Sequence, residues 1–125
     1  MSETLHVSAL GKTWLLDLDG TIVKHNGYKL DGHDTLLPGA KEFLDGLPGQ
    51  DLVVFVTSRP QELAARTEAF LTAHALRYHA IVYGAPYGER ILVNDRKPSG
   101  LATAIAVNPE RDRFMDVRFQ IDPAL

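Results

Sequence analysis

Short apolar runs that stop abruptly at polar residues recur along this chain, and they limit its fold more than any other feature. Thr13 to Leu18 runs into the turn at Asp19-Gly20-Thr21 and carries Asp17 near its end, Leu52-Val53-Val54-Phe55-Val56 runs into Thr57-Ser58, and Arg90-Ile91-Leu92-Val93 into Asn94-Asp95. Near-continuous apolar runs of this length read as strands buried in a parallel sheet. Ala80 to Tyr83 reads as a further short strand. Between the runs, Ala40 to Leu47 sets Phe43, Leu44 and Leu47 on one helical face, behind a Pro38 that suits a first turn. Gln61 to His74 does the same with Leu63, Ala64, Thr67, Phe70 and Leu71. Strands alternating with helices predict an α/β fold with a three-layer, Rossmann-like parallel sheet. Ligands of such sheets bind beyond the carboxyl ends of the strands, so Asp17/Asp19, Thr57/Ser58 and Asn94/Asp95 are expected on one rim.

At 125 residues the chain supports one domain over 1–125, with a core but no second independent unit. The stretch from about 22 to 37 is long for a structureless connection and reads as a small hairpin or flap after the first strand. Leu101 to Val107 reads as a loop and an edge strand. The tail, about 110–125, alternates weakly around Phe114, Val117, Phe119 and Ile121, and is free to pack on its own domain or on a neighbour. A net charge of -3 gives no electrostatic reason to expect nucleic acid or an anionic membrane as partner. Zero cysteines exclude disulfides and thiolate metal sites and fit a reducing compartment. Met1 to Gly11 does not read as a secretory signal, and no apolar run approaches the ~20 residues of a membrane-spanning helix. A cytoplasmic location is the expectation.

Two carboxylates at one strand end, Asp17 and Asp19, share a face if the strand continues and repel each other unless a cation or proton lies between them. A divalent metal answers that, and hard oxygen ligands suit Mg2+, which usually meets a substrate phosphate. The same residues also suit a plain Asp-Gly turn with both acids solvated, Gly20 allowing the sharp bend.

Asp17-Leu18-Asp19-Gly20-Thr21 matches in full the first motif of the haloacid dehalogenase-like (HAD) superfamily of Mg2+-dependent phosphatases and phosphotransferases. Val54-Phe55-Val56-Thr57 resembles its second motif, and Ile91-Leu92-Val93-Asn94-Asp95 its acidic fourth motif, with Asn-Asp where paired aspartates are common. The resemblance covers residues 13 to about 107 and implies a phosphomonoesterase. Asp17 would be the nucleophile that forms an aspartyl-phosphate, and Asp19 the acid and base for the leaving oxygen and the attacking water. Thr57 would hold the transferring group. Asp17, the Asp19 backbone carbonyl and Asp95, with Asn94 beside them, would hold Mg2+.

The family's third motif, a Lys or Arg that neutralises the phosphate, has no lysine to fill it between Ser58 and Asp95. Arg90 has the expected order along the chain, while Lys97 lies just past Asp95; the sequence leaves both open. Substrate contacts are expected from Gly20, Thr21, Ser58 and Arg59, and from the flap residues Lys24, His25 and Tyr28, with Asn26, Lys29, His33 and Asp34 also within reach. Arg59 could instead cap the entry of the second helix, and His74 and His79 read as structural. The turn-rich Tyr83 to Glu89 lies on the same rim.

No stretch is long enough for the cap domain of larger members, so the resemblance is to the small capless type. Such members occur in surface-polysaccharide biosynthesis, which makes a small phosphorylated metabolite such as a sugar phosphate the expected substrate. A polynucleotide-end phosphatase is a weaker alternative, because the acidic balance lacks a basic footprint. A catalytically silent binding or assembly subunit is another. An open site and an apolar tail together lead to the expectation of a homo-oligomer.

Overall fold

Strands at Thr13–Leu16 and Leu52–Val56 form where bulky and β-branched side chains fit a pleated surface. The structure is a computed structural model and describes residues 3–125. In chain order it contains β1 (Glu3–Val7), β2 (Thr13–Leu16), α1 (Gly27–Leu30), α2 (Ala40–Asp45), β3 (Leu52–Val56), α3 (Ala64–Ala73), β4 (Ala80–Val82) and β5 (Val117–Ile121). A 3-10 turn at Gln61–Leu63 leads into α3. The fold is α/β with two parallel sheets: three strands in the order β2-β3-β4, and two in the order β1-β5. In the larger sheet Leu15 lies opposite Val54, and Phe55 opposite Ile81.

One face of that sheet carries the core. Leu16, Val53 and Phe55 are buried there with Leu18, and meet Ala40 and Leu44 of α2 and Leu71 of α3. Leu15, Leu52 and Val82 fall on the opposite face by alternation and are about half exposed, at 52%, 43% and 50%. Burial on both faces, expected from the apolar run, is therefore reached on the helix side and not at these three residues.

α2 ends at Asp45, two residues short of the apolar pattern; past Gly46 the Leu47 N–H bonds to the Leu44 carbonyl at 3.3 Å, a tighter turn in place of the α-helical bond. Asp51 fixes the start of β3: it is buried and accepts hydrogen bonds from Trp14 Nε1 at 2.9 Å and the Lys12 N–H at 3.1 Å. His79 is structural, its Nδ1 accepting the Val53 N–H at 2.9 Å.

Three expectations change. Arg90 to Val93 is not a strand: the run from 86 to 100 is exposed throughout, with Ile91 at 85% and Val93 at 88%. Apolar content alone does not supply a ladder partner, and no backbone hydrogen bond joins these residues to β2. Leu101 to Val107 likewise contains no strand. The tail, by contrast, folds back on its own chain. β5 pairs with β1, an element that sequence reading did not find, while Phe119 packs edge-on to Trp14 at 4.8 Å and Phe114 against Phe43 at 5.2 Å. These aromatic side chains are covered within the chain, so the tail gives no separate reason for a second copy.

The connection from 22 to 37 is closed at its neck by an antiparallel bridge between Val23 and Leu36 and by the Lys24 N–H on the Thr35 carbonyl at 2.9 Å. α1 forms one helical turn at its tip.

Candidate active site

β2 stops at Leu16, and the chain delivers Asp17 and Asp19 directly beyond it. The N–H groups of Ile22 and Val23 fold back onto the Leu18 carbonyl, at 2.8 and 3.1 Å, and Gly20 takes φ +85°, a left-handed conformation that a side chain would strain. Thr57 follows β3, buried, with its N–H on the Val82 carbonyl at 2.9 Å. Both carboxylates and Thr57 thus lie past the carboxyl ends of neighbouring parallel strands.

Each carboxylate has its own arginine. Arg90 Nη1 donates to Asp17 Oδ1 at 2.9 Å and to the Val56 carbonyl at 3.1 Å, in a pair whose side chains are 40% and 37% exposed. Thr21 Oγ1 approaches the other Asp17 oxygen at 3.4 Å. Arg59 is buried and grips Asp19 with two bonds, Nε to Oδ2 at 2.9 Å and Nη2 to Oδ1 at 2.8 Å. The same guanidinium holds Asp34 through Nη1 at 3.1 Å and Nη2 at 2.7 Å, and donates to Thr67 Oγ1 at 3.0 Å. Tyr28 covers it, with its ring 4.4 Å from the guanidinium carbon. Burial opposes the charge, and the bonds and charges of Asp19 and Asp34 more than offset it, so the Arg59 pKa is held above its ordinary value.

Arg59 is therefore spent on joining the flap to the strand end, and Asp34 belongs to that join. Thr57 supports it, its Oγ1 accepting the Arg59 N–H at 3.1 Å. Ser58 is half-buried between them. Lys24 is paired with Asp31 at 2.8 Å, within the flap. His25 approaches Gly20, its Nδ1 3.8 Å from where a Gly20 Cβ would stand.

Of the two cations the sequence left open, Arg90 reaches Asp17. Lys97 lies in an exposed turn, its N–H on the Leu101 carbonyl at 3.0 Å. Asn94 and Asp95 lie in the same exposed segment, where Asn94 Nδ2 donates to the Thr103 carbonyl at 3.4 Å and the Asp95 carbonyl accepts from Thr103 Oγ1. Among the described residues no three His, Cys, Asp or Glu side chains converge as a metal-holding group. As arranged, the donor set does not fit Mg2+: Asp17 and Asp19 are each engaged by a cation, and the segment bearing Asp95 is not laid beside β2.

Sequence reading missed Arg111 and Asp112. The Asp112 N–H bonds to the Gly20 carbonyl at 2.9 Å, and Asp112 Oδ1 accepts the His25 N–H at 2.6 Å. Glu110-Arg111-Asp112-Arg113 reads as an ordinary charged turn, and no periodicity links it to a strand end so distant in sequence. No protein-family model, curated protein or solved structure matches the chain.

Proposed function

We propose that this chain is a small capless HAD-like phosphatase, hydrolysing a phosphomonoester through an aspartyl-phosphate on Asp17. The observation that carries the reading is the half-exposed Asp17 carboxylate at the end of a parallel strand, with Arg90 at 2.9 Å. An Asp17 oxygen attacks phosphorus as the ester oxygen leaves with a proton from Asp19; water then attacks the aspartyl-phosphate, losing its proton to Asp19, and releases phosphate and free Asp17. Arg90 bridges the nucleophile and the phosphoryl oxygens, where positioning and charge govern the barrier. For Asp19 to carry a proton, one of its two bonds from Arg59 must be given up. The substrate class is a small phosphorylated metabolite, and a sugar phosphate of surface-polysaccharide biosynthesis rests on the sequence resemblance alone. Mg2+, which the sequence resemblance implies, is not supported by the donor set as arranged, and no step above is routed through the ion.

The test is phosphate release from phenyl phosphate and from a panel of phosphorylated sugars, with and without Mg2+, by the wild-type protein and by Asp17→Asn. Loss of turnover by more than a thousandfold, on the order of what losing a nucleophile costs, is expected in the variant. Substantial residual activity removes Asp17 from the role. The pair of hydrogen bonds from Arg59 to Asp19 favours one rival, a catalytically silent binding subunit, and a wild-type protein without turnover on any ester would select it.

A further inference from the structure

We propose that Arg111, seated beside Gly20 and the His25 ring, forms a subsite for an anionic group on the leaving-group side of the substrate, so that the preferred ester carries a second negative charge. The inference rests on the phosphomonoesterase reading and names its substrate class more closely. Gly20 is the hub of the site. A Cβ there would stand 3.2 Å from Arg111 Cγ, 3.7 Å from His25 Cβ and 3.8 Å from His25 Nδ1. Two side chains some ninety residues apart thus converge on the residue that follows Asp19.

The convergence is built rather than incidental. Asp112 grips the strand-end loop twice, through its N–H on the Gly20 carbonyl at 2.9 Å and its carboxylate on the His25 N–H at 2.6 Å. It does so at φ 63°, a left-handed conformation unusual for a residue with a side chain. Strain of this kind persists where the surroundings hold it and is concentrated at functional sites. The Arg113 N–H closes the turn on the Glu110 carbonyl at 3.2 Å.

What the turn presents is chemically unspent. Arg59, Arg66, Arg77 and Arg90 all donate to carboxylates or carbonyls, whereas the exposed Arg111, like Arg96 and Arg118, has no side-chain hydrogen bond or ion pair among the described residues, and Arg111 is the one seated against Gly20. Near the same Gly20 position, His25 Nδ1 is buried without a hydrogen-bond partner, so the open contact there belongs to Arg111. An exposed, unpaired guanidinium whose stem is seated beside Gly20 and the His25 ring suits a planar carboxylate or a second phosphate, which it binds in a fork. The adjoining Asp112 carboxylate is turned onto the His25 backbone instead of pairing with Arg111.

The experiment compares phenyl phosphate with 3-carboxyphenyl phosphate, a matched pair that differs by one carboxylate. Wild-type protein is expected to prefer the carboxylated ester by about tenfold in kcat/KM, carried in KM, the scale of one charge-assisted hydrogen bond. Arg111→Gln should bring the ratio close to one, and Arg111→Lys should restore part of it. The same two esters, titrated calorimetrically into Asp17→Asn protein with and without Arg111→Gln, give the ratio as affinities even if turnover is absent. No preference in the wild type, or a preference that survives Arg111→Gln, overturns the subsite. Absence of turnover with the binding ratio intact overturns the phosphatase reading and leaves the subsite standing.

Discussion

Arg59 and Arg90 each reach an aspartate of the same strand end, yet one is sealed inside the protein and the other lies in the open. Arg59 makes five side-chain bonds, to Asp19, Asp34 and Thr67, with its side chain and that of Asp34 almost wholly buried. Arg90 makes two, from a segment the sheet does not hold. The difference teaches that the strand end has a fixed half and an adjustable half. The fixed half anchors the flap and Asp19, while the adjustable half brings a cation to Asp17, where a substrate would have to compete for it.

The comparison breaks most visibly on the buried side. Arg59→Ala leaves two carboxylates facing each other without their cation, and should cost about 3–5 kcal/mol of stability, the scale for removing one partner from a buried pair. Arg59→Lys should recover only part, because an ammonium cannot donate in a fork to both acids. Urea unfolding of both variants measures this; a loss under about 1 kcal/mol would mean the triad is not sealed. The exposed side should answer differently. Arg90→Ala is expected to change stability by about 1 kcal/mol or less, yet to lower turnover by at least tenfold if it bridges nucleophile and phosphate. Equal stability losses in the two variants would erase the distinction.

A finer test lies in the segment behind Arg90. Limited proteolysis should cut first between 86 and 100, where side chains are exposed and few backbone hydrogen bonds hold the chain. Smallest of all, Ile91→Ser and Val93→Ser should each move stability by no more than about 0.5 kcal/mol, as surface changes do. A larger loss would show that these residues are packed in solution, with the segment laid against the sheet.

What could be read from the sequence followed the range of the interactions. β3, α2 and α3 announce themselves through apolar spacing within a few residues, and the observed strand Leu52–Val56 has the expected bounds, whereas α1 lies in a stretch read as a hairpin or flap. Asp17, Asp19 and Thr57 were legible for the same reason, each sitting directly after an apolar run. Partners far along the chain were not. Arg59 was read as either a substrate contact or a cap, because nothing local says that Asp19 and Asp34 will claim it. Arg111 and Asp112 were invisible, as was the pairing of β1 with β5. The error at Arg90 to Val93 ran the other way: an apolar triplet says that a strand is affordable, and its neighbours decide whether one forms.

That pairing has a consequence for the order in which the molecule assembles. Glu3 lies opposite Val117 and Val7 opposite Ile121, with more than a hundred residues of chain between the two strands. The entropy of closing so long a loop rises only slowly with length, by about 0.6 kcal/mol per doubling, but contacts of such separation form late in folding. Phe119 arrives with β5, so until the small sheet closes it cannot cover Trp14. Trp14 is the sole tryptophan of the chain. Its fluorescence after dilution from denaturant should therefore lag behind the recovery of helix signal, and that lag clocks the moment at which the far ends of the sequence find each other.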